Sequence, residues 1–85
     1  MELIGKIISI GEIEQIKDRL QKREVIIQTG DKFPQTLQCF LINQKCSLAD
    51  NFDAVDSVSA LIDLKGRQHQ GKYFINIEIW GLNRK

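Results

Sequence analysis

The side chains best placed for chemistry are a cluster of cations beside two aromatics: Lys65, Arg67, His69 and Lys72, followed by Tyr73 and Phe74. Single-strand binders combine a positive groove with stacking rings, because phosphates need charge and every base has a π-face. His69 is the sole histidine, so neither a catalytic triad nor a multi-histidine metal site can be assembled around it. Asp50, Asp53 and Asp56 are evenly spaced, but they lack the alternating oxygen ligands and closing glutamate of a calcium loop. They read as caps and turns. Gly30, Gly66 and Gly71 punctuate turns and form no phosphate-loop pattern. Cys39 and Cys46 have neither zinc nor redox spacing and read as small apolar fillers in a reducing compartment. No nucleophile has a positioned base, so the sequence predicts no enzyme, metal, cofactor or small-molecule substrate.

The chain has 85 residues, 42% hydrophobic and 27% charged, with a formal charge of +1. That length predicts one domain spanning residues 1–85, with a core thin enough to favour homo-oligomers. A near-neutral total is a weak footprint for nucleic acid, so any phosphate binding must come from a local stripe. The N-terminus reads directly into a strand with no signal-peptide pattern, and no apolar run approaches a bilayer span. A cytoplasmic location without membrane contact is expected.

Five segments carry strand character. Glu2 to Ile10 places Leu3, Gly5 and Ile7 on one face and then Ile8 and Ile10 on the other, a parity swap that predicts a bulge near Gly5. Arg23 to Thr29 sets Val25 and Ile27 against Glu24, Ile26 and Gln28, and a turn over Thr29 to Pro34 follows, including Asp31. The third strand, Thr36 to Ile42, alternates Leu37, Cys39 and Leu41 against Gln38, Phe40 and Ile42. The fourth opposes Val58, Ala60, Ile62 and Leu64 to Ser59, Leu61, Asp63 and Lys65. The fifth opposes Tyr73, Ile75, Ile77 and Ile79 to Phe74, Asn76, Glu78 and Trp80. Gly66 to Gly71 is a polar, glycine-bracketed connection. Asn43 is placed to cap a short helix over Gln44 to Asn51, whose Leu48 would join Phe52 in plugging a barrel end. Residues 11–21 suit a helix or an elongated hairpin arm, and the arm is favoured. The order β-β-β-α-β-β predicts an all-β, five-stranded OB-fold barrel with the helix between strands three and four.

Several stretches resemble a known group: Met1-Glu2-Leu3-x-Gly5-Lys6-Ile7-Ile8, Val25-Ile26-Ile27-x-Thr29-Gly30-Asp31-x-Phe33-Pro34, Leu48-x-Asp50-x-Phe52, and Gly71-Lys72-Tyr73-Phe74 with a late Trp80. The sequence resembles a small bacterial family of unknown function, regarded as OB-like and related to single-stranded-DNA-binding proteins. The resemblance spans nearly the whole chain and rests on structural motifs, so it implies the fold more than an activity. Phe52 to Val58 is similar to the phenylalanine-x-x-glycine-aspartate-x-valine turn of many OB domains, with Val55 at the usual glycine. The chain also lacks an aromatic that the family carries before the position of Arg23.

On an OB barrel these residues predict a non-enzymatic module that binds single-stranded DNA or RNA. Phe40 and Tyr73 would stack on bases, and Lys22, Arg23, Lys65, Arg67 and Lys72 would contact phosphates. The alternative is a protein-interaction or homo-oligomeric assembly module without nucleic-acid binding. Its interface would be the apolar outward residues Ile26, Ile42, Leu61, Phe74 and Trp80, unless loops or the helix cover part of them.

Overall fold

The computed structural model describes residues 1–30 and 32–85; Asp31, counted in the expected turn, lies outside the described residues. The strands are β1 (Glu2–Ile10), β2 (Glu14–Lys17), β3 (Leu20–Thr29), β4 (Gln35–Ile42), β5 (Ser57–His69) and β6 (Lys72–Arg84), with a 3-10 helix over Asn43–Asn51 between β4 and β5. Their order in the sheet is β1-β5-β6-β4-β3-β2, and β1 also pairs with β3. That second pairing closes a five-strand ring, the expected OB-type barrel, and leaves β2 as an appendage on β3.

The ring closes because β1 serves two neighbours in turn. Glu2 to Lys6 pair with Leu61 to Ser57, and Lys6 to Ile10 pair with Gln28 to Val25. Gly5 sits where the two pairings meet. A Cβ there would lie 2.5 Å from the Gln28 carbonyl oxygen, so only glycine lets β3 come this close. The expected bulge falls just beyond it, between Ile7 and Ser9.

Inward parity fills the ring with Ile7, Val25, Ile27, Cys39, Leu41, Val58, Ala60, Ile62 and Ile79. Full burial of each branched side chain is worth about 1.5–3 kcal/mol. Cys46 and Ala49 of the 3-10 helix close one end, with Leu48 and Phe52 packed against the same core as expected.

Residues 11–21 form the favoured arm, with β2 paired to the start of β3 through Glu14↔Lys22. Other local expectations are revised. The connecting helix is 3-10, not α, and Asn43 does not cap it. Asn43 sits at φ 52°, and its side-chain oxygen accepts the Gln21 N–H at 2.8 Å, tying the helix start to β3. The glycine-bracketed loop shrinks to Gln70–Gly71, since pairing continues to His69↔Lys72. Both turn residues have positive φ (52° and 77°), the signature of a type I′ hairpin turn. Val55 occupies the predicted glycine-like site at φ 68°, held there because its N–H donates to the Ile7 carbonyl at 2.7 Å.

No described helix is long and apolar enough to cross a membrane.

Candidate nucleic-acid interface

β5 and β6 outrun the barrel. β1 accompanies β5 only as far as Leu61, and β4 touches β6 only at Ile77 and Glu78. Residues 63–76 therefore project as a two-stranded arm whose pairing is regular: Lys65↔Asn76, Gly66↔Ile75, Arg67↔Phe74, Gln68↔Tyr73 and His69↔Lys72. Directly opposed residues share a face, and so do residues two apart on a strand. One face thus carries Asp63 and Asn76 at its base and Lys65, Arg67, His69, Lys72 and Phe74 beyond them, with the Arg67 guanidinium 5.9 Å from the Phe74 ring centroid. The other carries Leu64, Tyr73 and Ile75.

This separates residues that are neighbours in the sequence. Tyr73 turns away from the cations it was to assist. Phe74, assigned to an oligomer interface, is the ring that lies among them.

The barrel wall beside the arm has a different character. Across the outward face, Glu24 of β3 pairs with Phe40 of β4, Phe40 with Glu78 of β6, and Glu78 with Asp63 of β5. Phe40 therefore sits in a row of three carboxylates. The Lys22 ammonium already covers its ring, 3.8 Å from the centroid. Next to this pair is a shallow cleft of about 260 Å³, lined by Glu12, Glu14 and Glu24 among others. A phosphate backbone crossing here would meet more negative than positive charge. Phe40 and Lys22 come together as expected, but in a setting that opposes the stacking role foreseen for Phe40.

Arg23 also departs from its expected role. Its side chain is only 15% exposed. Nε donates to the Gly11 carbonyl at 2.9 Å, and one terminal nitrogen donates to the Cys46 carbonyl at 3.0 Å and to Asp50 Oδ1 at 2.8 Å. The guanidinium thus ties the segment after β1, β3 and the 3-10 helix together, with Nε and one terminal nitrogen committed to these structural contacts. Asp53 and Asp56 hold the turn as expected: Asp56 Oδ2 accepts the Asp53 N–H at 2.8 Å and pairs with Arg84 at 3.2 Å. Those contacts, the backbone N–H first, hold the Asp56 carboxyl below its ordinary range against a smaller opposing effect of desolvation.

Of the expected interface strip, Ile26, Ile42 and Leu61 are half-buried, while Phe74 and Trp80 are exposed. Leu61 lies over the open surface of Gly81, where a Cβ would come within 3.0 Å of its Cδ1. The most open apolar side chains on the arm are Tyr73 and Ile75, 81% and 72% exposed, and Ile75 was not singled out in the sequence.

His69 is exposed on the arm, and the described residues contain no group of three or more His, Cys, Asp or Glu placed to hold a metal ion. Burial raises both thiols, Cys39 to about 11. Neither is poised as a nucleophile.

The backbone is similar to several solved structures at low sequence identity. The PriB protein of Ralstonia solanacearum matches with a TM-score of 0.79 and 11% identity over 100% of this chain and 96% of that one. A small single-stranded DNA-binding protein from Streptomyces coelicolor matches at 0.62 with 7% identity, covering 100% and 92%. The mitochondrial single-stranded DNA-binding protein Rim1 of S. cerevisiae matches at 0.64 with 12% identity, covering 99% and 91%. At such identities the likeness establishes the OB fold. No curated protein matches the chain by sequence. Residues 2–83 match the model of a domain of unknown function, DUF3127, and the chain belongs to that family.

Proposed function

We propose that this protein is a non-enzymatic module that binds single-stranded DNA or RNA along the cationic face of the β5–β6 arm. One observation carries the reading: the hairpin register gathers Lys65, Arg67, Lys72 and Phe74 on a single exposed face. Phosphates would be met by the three cations, and a base would stack on Phe74 with Arg67 beside it. The fold likeness to single-stranded DNA-binding proteins supports this reading. The acidic row through Phe40 favours the arm over the barrel wall in this reading.

Titration of a fluorescent thymidine oligomer, followed by anisotropy, tests it. Binding at low salt that weakens steeply as salt rises is the expected result. No binding at low salt, or binding indifferent to salt, refutes it.

A second reading, an assembly module, is favoured by the solvent-facing Tyr73 and Ile75.

A further inference from the structure

The arm leaves one strand edge open whose sequence fits itself. β4 pairs with β6 only from Ile77 onward, so Lys72 to Asn76 have β5 on one side and no strand on the other among the described residues. This edge reads Lys-Tyr-Phe-Ile-Asn, rich in aromatic and β-branched residues, without proline or a bulge. An exposed edge of that composition is a template for another strand.

The phase of the free groups follows from the turn. In a two-residue hairpin the residues flanking the turn, His69 and Lys72, exchange both backbone bonds, and hydrogen-bonded pairs then alternate along the ladder. Lys72, Phe74 and Asn76 consequently direct N–H and C=O toward β5, while Tyr73 and Ile75 direct theirs to the open edge.

We propose that a second copy of this chain pairs there, antiparallel, about a two-fold axis at Phe74. In that register Tyr73 of each copy faces Ile75 of the other, and the two free residues of each edge satisfy one another with four backbone bonds. Phe74 faces Phe74 at a non-hydrogen-bonded position, where side chains approach most closely. Lys72 faces Asn76, so no like charges are opposed. A two-fold axis at Tyr73 or Ile75 loses this match. The first sets Lys72 against Phe74, and the second requires Ile77, which β4 already holds. The pairing also sets the cationic faces of the two arms side by side, so each copy extends the phosphate-binding face of the other. An isolated two-stranded ribbon is marginal in water, and a four-stranded sheet removes that weakness.

The inference deepens the assembly reading by naming its partner, edge and register, and it is tested without nucleic acid. Sedimentation velocity of the full chain over a wide concentration range should show a monomer–dimer equilibrium. Ile75→Pro removes only an edge-facing N–H and should weaken the dimer at least tenfold, as should Tyr73→Lys, which leaves the backbone intact. Far-ultraviolet circular dichroism and Trp80 fluorescence verify that both variants stay folded. Phe74→Cys should cross-link under mild oxidation, because opposed Cα atoms at a non-hydrogen-bonded site lie within disulfide range. Lys72→Cys should not cross-link, and the native thiols are buried. A dimer unaffected by these edge changes, or one that cross-links equally at position 72, overturns the inference and leaves the assembly reading standing. A monomer at every concentration overturns both.

Discussion

Replacing Arg23 and Arg67 by glutamine, one at a time, should divide stability from binding. Arg23 is enclosed, and its guanidinium satisfies the Gly11 and Cys46 carbonyls and pairs with Asp50, whose side chain is 60% exposed. The exposed ion pair adds little, at most about 1 kcal/mol. The two carbonyls, left without a charged donor, account for most of the expected loss of about 2–4 kcal/mol. For a chain of this size that lowers the melting temperature by about 10–25 °C. Arg67 lies on the exposed arm, and its loss should change stability by no more than about 0.5 kcal/mol.

Binding should respond in the opposite way. With Lys65, Arg67 and Lys72 each neutralising a phosphate, the logarithm of affinity should fall against the logarithm of salt with a slope of about −2.1. A fourfold rise in salt then weakens binding about eighteenfold. Arg67→Gln should reduce the slope to about −1.4 and the loss to about sevenfold. Arg23→Gln, assayed at a temperature where it remains folded, should keep the wild-type slope. Thermal denaturation and anisotropy titrations at four salt concentrations read both quantities. A smaller slope in Arg23→Gln with unchanged stability would refute the division, as would an Arg67→Gln protein as destabilised as Arg23→Gln.

Val55→Gly should stabilise the fold by about 1 kcal/mol in chemical denaturation, because it releases a β-branched residue from φ 68° at an exposed turn where little packing is lost. Any destabilisation would mean that Val55 contributes contacts beyond its backbone bond to Ile7. The lowered Asp56 carboxyl stabilises the folded state above the ordinary carboxylate range, and that contribution disappears as pH falls through the folded value. Asp56→Asn should therefore flatten the stability profile below about pH 4, and an unaltered acid limb in denaturation titrations would contradict this. The raised Cys39 thiol, fully buried, should resist a thiol reagent at pH 8 until the protein is unfolded, and prompt labelling of the native chain would disprove its enclosure.

How far the site was legible depends on whether its determinant was local. Alternation alone placed Val25, Ile27, Cys39, Leu41, Val58, Ala60, Ile62 and Ile79 inward, and all are buried, while Leu64, Tyr73 and Ile75, which share their parity on β5 and β6, are exposed on the arm. The same parity carries Arg23 inward with Val25 and Ile27, so its structural role was readable once composition gave way to position. Phe74 was equally readable. A six-residue or a two-residue connection both pair odd positions of β5 with even positions of β6, which keeps Lys65 on the face of Phe74 rather than that of Tyr73, but only the two-residue turn sets Arg67 opposite Phe74. The acidic row through Phe40 was not readable, because Glu78 reaches it only through the parallel β4–β6 contact, which depends on the closure of the whole ring. The limits of the arm were hidden for the same reason: a strand's own sequence does not say where its neighbours stop. Leu61 and Ile77 mark those stops. Beyond them the β5–β6 ribbon extends past the barrel neighbours, and its face changes from the carboxylates Asp63 and Glu78 at the base to Lys65, Arg67 and Lys72 further out. A near-neutral chain thus keeps a local positive stripe by lengthening one hairpin past the neighbours that would have neutralised it.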